Sequence, residues 1–403
     1  MSVRRIGAFG KDKWQNLRHL YFMRIFESSI KKNNTHLKIL FLADLNSAHI
    51  VKWASALALK GYEIGVFTLN KADRAWYADI SNIRVFDQQS FGRKTFSSNS
   101  LSKLVYLKAS SELRRVIRDF KPDIVHAHYA TSYGFLGARS GFHPFVISAW
   151  GSDVMDFPDR SVMHRLLLKN NFKKADLILA TGETIAERIH RITDKKVEIV
   201  SFGVDTKIFS PGPKSLGYTE QEIVIGTVKA LEPVYGIDIL LHAFSELVKK
   251  HPSLPLRLLL VGNGSKESEY RLLAGELGIT GITRFAGKVA FQEVPAYHNC
   301  MDIFANLSHN ESFGVSVLEA EACEKAVVMT DVGGLKEVVL AGITGLAIAP
   351  GHIPAAVAAL ETLVLNKEMR LAMGKEGRHF VIENYSWQSS FSEMEKHYKE
   401  LCQ

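Results

Sequence analysis

The chain reads as an α/β protein made of two doubly wound domains, each built around a parallel sheet. Three observations predict this. From Leu37 onward, short apolar runs alternate with segments of helical period. The alternation restarts after a stretch rich in Pro, Gly and Ser. Glycines or polar turns follow several of the apolar runs directly, where open α/β sheets hold ligands.

The elements can be justified in order. HLKILFLAD is a strand, AHIVKWASALALKG a helix closed by Gly61, and YEIGVFTL a second strand. SSELRRVIRDF is a helix with Pro122 just past its end, where proline cannot continue it. DIVHAHY, PFVISAW, DLILATG and VEIVSFG read as further strands. KIFSPGPKSLGYTE has the composition of a linker. Then EIVIGTVKAL is a strand, YGIDILLHAFSELVKK a helix, and LRLLLVGNG a strand ending in glycines. ITRFAGKV and MDIFANLS follow, then the helix GVSVLEAEACEK and the strand AVVMTDVGG. These predict a basic extension at 1–36, a first domain at 37–208 and a second at 209–380. An amphipathic helix from Trp387 to Leu401, within a final segment 381–403, packs across either domain.

Length and composition exclude several classes. The 403 residues are enough for two or three domains with real cores. Hydrophobic content of 46% and charged content of 23% rule out a disordered or coiled-coil chain. Cys300, Cys323 and Cys402 are odd in number and form no CxxC pair, so neither a disulfide framework nor a zinc site is drawn from them. Val338–Leu360 is uncharged and long enough for a bilayer, but Gly342, Gly345, Pro350, Gly351 and Pro354 interrupt it. It reads as a strand, a turn and a helix. No apolar run follows MSVRR, so no secretory signal is visible and a cytoplasmic location is expected.

Charge is uneven. Residues 1–210 carry 33 Lys+Arg and 19 Asp+Glu, net +14, whereas residues 211–403 carry 17 and 23, net −6. The basic half suits an anionic partner: nucleic acid, a membrane surface or a phosphorylated substrate. A solvated basic surface explains it equally. Residues 1–36 alone carry 8 basic and 2 acidic side chains, net +6. Within them Trp14, Leu17, Leu20, Tyr21, Ile25 and Phe26 recur at helical spacing among Lys13, Arg18, His19 and Arg24. Such a helix could lie on an anionic membrane, or cover its own domain.

The strongest signal follows the strand MDIFANLS. In HNESFGVSVLEAEACEK, Glu311 lies in a loop, Phe313-Gly314 open a helix, and Glu319 sits in its second turn. Free amides at 313–315 would form a phosphate site at a helix N-terminus. Carboxylates accept hydrogen bonds from hydroxyls. A phosphate cradle between two of them describes a nucleotide-sugar, with Glu311 towards the hexose and Glu319 towards the ribose.

This arrangement, in ESFGVSVLEAEACEKAVVMTDVGGLKEVV, resembles the donor signature of the family-4 retaining glycosyltransferases, which have the GT-B fold. The resemblance covers about residues 37–400, with VGNG (261–264), FAGKV (285–289), VGG (332–334), TGLAI (344–348), HAHY, WGSD (150–153) and SFGVDTKIF (201–209). It implies two Rossmann-like domains facing a central cleft. It implies Glu311 and His128 as catalytic residues, and Lys229 is assigned with them as a nearby cation. Glu319, Phe313, Gly314, Val315, Gly262, Asn263, Gly264 and Val289 would hold the donor. Asp153, His126, Asn46 and His49 would line the acceptor side. His126 and His128 share a strand face by period 2, which leaves open which of them is the functional one.

The departures matter too. Family members carry an Arg and a Lys after the first strand of the second domain, where they neutralise the diphosphate. At the matching positions here stand Ala230 and Tyr235, and Lys229 is the nearby cation. The usual Gly-Gly turn after the first strand is DLNSAH, and Trp150 replaces the usual His before GxD.

The resemblance therefore predicts a retaining, metal-independent transferase. It would move a sugar from a nucleotide-sugar to a lipid-pyrophosphate-linked or oligosaccharide acceptor in cell-surface polysaccharide synthesis. No DxD stands at a strand end, so no metal is expected, nor a cofactor beyond the donor itself. An anionic membrane surface is an expected partner, peripherally on its inner face. Nucleic acid is not, since no motif for it occurs. Two other readings stay open: a GT-B pseudoenzyme serving as the partner subunit of an active transferase, and a different GT-B activity such as an epimerase.

Overall fold

The computed structural model describes residues 37–71, 77, 80–87 and 103–403. The basic amphipathic segment at 1–36 lies outside the described residues. The chain forms two compact units. The first takes the described residues up to Leu179, with Arg188–Glu198 and His397–Gln403. The second takes Ala180–Glu187 and Ile199–Lys396.

The first unit is organised by a seven-stranded sheet. Its strands are β1 (Lys38–Leu42), β2 (Glu63–Phe67), β3 (Ile83–Phe86), β4 (Ile124–His128), β5 (Phe145–Ala149), β6 (Leu177–Ala180) and β7 (Val197–Ile199), in the order β3-β2-β1-β4-β5-β6-β7. β1 pairs in parallel with both β2 and β4. Both faces are covered, so β4 and β5 are buried along their whole length and read as near-continuous apolar runs. The helix Ala48–Lys60 ends at Gly61, whose φ of 109° closes it in the left-handed conformation.

The second unit holds β8 (Ile223–Val228), β9 (Leu256–Val261), β10 (Thr283–Gly287), β11 (Ile303–Asn306), β12 (Ala326–Thr330) and β13 (Gly345–Ile348), in the order β10-β9-β8-β11-β12-β13. Its core lies between the sheet and its helices, around Leu240, Phe244, Leu258, Leu260, Ile303, Val328 and Leu360, all 1% exposed or less. The uncharged stretch 338–360 contains β13, a turn and the start of the helix Ile353–Leu365. No helix among the described residues is long and apolar enough to cross a membrane. The three cysteines are free thiols.

These are the two parallel-sheet Rossmann-like domains of the GT-B fold. The connection between the two series and the final helix take definite places. KIFSPGPKSLGYTE does not hang between domains but is fastened to the second unit. Asn299 brackets it through Gly212 N (2.9 Å) and Ser210 O (3.0 Å), and Lys214 pairs with Asp302 at 2.7 Å. Composition showed a break in regular structure, but the bonds that fix it come from residues about 88 positions on. The final helix, Trp387–Leu401, has its first residues in the second unit and its last, from His397, in the first.

Candidate functional site

In each sheet the strand order reverses once, and crevices form beyond the carboxyl ends of strands at such a switch point. In the second unit the reversal lies between β8 and β11. The residue after β8 is Lys229, and the loop after β11 carries Glu311. They meet: Lys229 Nζ donates to Glu311 Oε2, with both side chains 12% exposed. The ammonium also sits 4.6 Å from the centre of the Tyr235 ring. Burial, and then the Glu311 carboxylate, raise the Tyr235 phenol above its usual range.

Two glycines hold these backbones in place. Gly262, at φ 132°, passes so close to residue 229 that a Cβ would stand 1.9 Å from its carbonyl oxygen. Gly333, at φ 46°, does the same to Glu311, at 2.1 Å. No side chain fits either position. The contacts are reinforced by Lys229 N to Val261 O (2.9 Å), Leu231 N to Asn263 O (3.0 Å) and Gly334 N to Glu311 O (2.9 Å). VGNG and VGG are thus buttresses: one sets the Lys229 strand end, the other the Glu311 loop. Asn263 is exposed, Gly264 packs on Leu231, and Gly262 N donates to Gly287 O at 2.9 Å. That bond ties the turn to the FAGKV segment, in which Val289 is half-buried.

The helix Val315–Ala322 begins at Gly314 (φ 103°). Phe313 is 2% exposed and turns its ring into the unit against Phe202 and Tyr385, leaving its main chain at the helix entrance. Among the described residues the amides of Phe313, Gly314 and Val315 donate to no main-chain carbonyl, while Val317 N and Leu318 N turn back to Gly314 O. Free amides at a helix start favour an anion. Glu319, on the next turn, has a carboxylate oxygen 3.6 Å from Nε2 of His298. That imidazole is fully buried between Phe209 and Phe304, and neither nitrogen has a hydrogen-bond partner. His298 carries no sequence signal, since VPAYHNC resembles any short helix.

In the first unit the reversal lies between β1 and β4. His126 and His128, on β4, stack with centroids 4.0 Å apart, as their period-2 spacing predicts. Their chemistry is opposite. His126 is bonded at both nitrogens, to Tyr398 Oη at 2.7 Å and Ser148 Oγ at 2.8 Å, and burial lowers its pKa to about 3. His128 is 2% exposed beside Phe41 and Trp150, and its ring nitrogens have no partner. Burial, then His126, hold it well below the usual imidazole range. Of the two, His128 keeps free valence and His126 does not.

Asp153 differs from its expected place among the acceptor-facing groups. It is 1% exposed, and its carboxylate accepts from the amides of Ala130 (2.7 Å), Trp150 (3.2 Å) and Gly151 (2.8 Å). Burial raises its pKa against the pull of those amides. Its work is to join the turns after β4 and β5. Asn46 is exposed after β1, with Nδ2 on Lys71 O at 3.2 Å. His49 packs edge-on against Trp150, and burial and then Lys52 lower it to about 4.

Comparison with known proteins finds matches for both halves of the chain. Residues 38–182 match the family described as glycosyl transferase 4-like, and residues 212–380 the glycosyl transferases group 1. A D-inositol 3-phosphate glycosyltransferase of Rhodococcus erythropolis is 32% identical over 386 residues, covering 88% of this chain and 86% of that protein. One from Corynebacterium efficiens is 29% identical over 388 residues, covering 88% and 90%. Among solved structures, sucrose-phosphate synthase from Thermosynechococcus elongatus superposes with a TM-score of 0.77 at 19% identity, covering 91% of this chain and 99% of that one. Anabaena HepE in complex with UDP-glucose gives 0.73 at 19%, covering 91% and 100%.

Proposed function

Because the chain belongs to the group 1 glycosyl transferases, we propose that it moves a sugar from a uridine diphosphate donor to an acceptor hydroxyl, with retention of anomeric configuration and without a metal. The observation that carries this is the meeting of Lys229 and Glu311 at one switch point, with the free amides of 313–315 following Glu311 directly in the same loop. The amides and the Lys229 ammonium supply positive potential where a leaving diphosphate gains charge. Glu311, released from Lys229 as phosphate takes its place, is free to accept a hydrogen bond from the sugar. Glu319 reads the ribose. The uridine base is suggested by the HepE complex, whose fold this chain shares.

His128 is the acceptor-side group in this reading, because its ring nitrogens are uncommitted. For the acceptor, the net +14 of residues 1–210 favours an anionic molecule. A lipid-pyrophosphate-linked saccharide fits, and so does a phosphorylated polyol of the kind named in the relatives. A lipid-linked acceptor would place the protein peripherally on the inner face of a membrane, in polysaccharide synthesis. The replacement of the family's two cations by Ala230 and Tyr235 favours a second reading, a pseudoenzyme partner subunit.

The test is calorimetric titration with UDP and UDP-sugars, followed by product analysis with lipid-pyrophosphate and phosphorylated polyol acceptors. Donor binding with glycoside formation, anomeric configuration kept, supports the first reading. Donor binding without turnover on any acceptor supports the second. No binding of either nucleotide overturns both.

A further inference from the structure

The helix Val162–Lys174 of the first unit carries an apolar cluster that no described residue covers. It is seated on its own unit through Leu168, Asn171 and Phe172, all buried. At 100° per residue Val162, Leu166, Lys169 and Lys173 fall on the opposite face, with Met163 at its flank. Val162 is 74% exposed, Met163 74% and Leu166 54%. Single exposed apolar side chains are ordinary, but three within two turns are not. Apart from the exposed Asn170, the rest of the face is basic. VMHRLLLKNNFKK holds four Lys or Arg and no Asp or Glu, and Lys169, Lys173 and Lys174 are exposed. The helix is firmly placed: Ser161 caps it by accepting from His164 N, and the Arg165 guanidinium donates to Arg191 O at 2.7 Å.

We propose that this face docks on an anionic lipid bilayer, with Val162, Met163 and Leu166 entering the interface and Lys169, Lys173 and Lys174 lying among the headgroup phosphates. An apolar anchor beside a basic stripe joins the two contributions that interfacial binding requires. Charge argues against the other occupants. A second copy of this helix would set +4 against +4, and residues 1–36, at +6, would meet the same repulsion. The proposal gives the membrane location suggested above a described surface, and it does not depend on the donor site.

The experiment is cosedimentation of the full chain with vesicles of phosphatidylcholine, alone or mixed with phosphatidylglycerol. Two variants are compared with wild type: V162S/M163S/L166S and K169E/K173E/K174E. The wild type should pellet with the mixed vesicles and much less with the neutral ones. The lysine variant should lose roughly a hundredfold or more in partition, from three juxtamembrane positive charges removed and three negative ones added. The serine variant should lose about tenfold or more. Both should keep the wild-type thermal midpoint and nucleotide binding, which separates this result from any failure of the donor reading. Absence of vesicle binding by the wild type, or wild-type binding by both variants, overturns the proposal. So does a wild-type dimer in sedimentation velocity that the serine variant abolishes, since a second copy would then own the face.

Discussion

The ammonium of Lys229 is bonded to the carboxylate of Glu311 across 82 positions of sequence, with each side chain 12% exposed. Two groups expected to serve different parts of a donor therefore neutralise each other. Partly buried charges need such pairing, because leaving either one alone carries a desolvation cost. In the proposed reaction an entering diphosphate would replace Glu311 as the partner of Lys229, which would couple donor binding to the freeing of Glu311.

Glu311→Gln should lower transfer by about a hundredfold or more while keeping nucleoside diphosphate affinity within a few fold, because the lost charge faces the sugar. Removing the carboxylate also frees Lys229, so diphosphate binding should not weaken. Single-turnover assays and calorimetry separate the two effects, and wild-type turnover would remove Glu311 from the reaction.

Lys229→Ala should weaken UDP binding by roughly 1.5–3 kcal/mol, the range for a charge-assisted hydrogen bond. Tyr235 holds the ammonium by its ring face. Tyr235→Phe should therefore behave like the wild type, and Tyr235→Ala should lose about 1 kcal/mol of UDP affinity. Equal losses in Phe and Ala variants would assign the effect to the phenol instead.

Gly333→Ala should cost about 1–3 kcal/mol of stability and a larger share of activity, because its Cβ would collide with the Glu311 carbonyl in a left-handed backbone. Urea unfolding gives the first number and kcat/KM the second. An unaltered kcat/KM would show that the Glu311 loop does not need the buttress.

Stability should fall on acidification from about pH 6.5 downward. His126 is held near 3 in the folded state, below its ordinary 6.5, so the unfolded chain binds more protons between those values. Its contribution is fully present above 6.5 and is lost as pH falls towards 3. One such group sets a slope of up to about 1.4 kcal/mol per pH unit. His126→Gln should flatten the fall between pH 6.5 and 5 by an amount of that order, in thermal unfolding followed against pH. An unchanged slope would show that His126 is not the titrating group.

The fold class was legible because it rests on local pattern. The apolar runs that become β1, β4, β8 and β11 and the helix-period segments between them declare themselves within about ten residues. The candidate loop and the helix it opens were legible for the same reason, since Glu311, Phe313-Gly314 and Glu319 lie within nine consecutive positions. What only the tertiary structure decided depends on partners far apart in the chain. His126 and His128 are equivalent by spacing, and Tyr398, 272 residues away, is one of the two groups that make His126 structural and leave His128 open. Asp153 resembles a ligand-facing carboxylate in WGSD until three amides from two different turns are found on it. Lys229 and Glu311 become a pair only because β8 and β11 are neighbours at the point where the strand order reverses. Sequence sets the period of each element, whereas hydrogen-bond saturation and charge pairing are properties of the packed sheet.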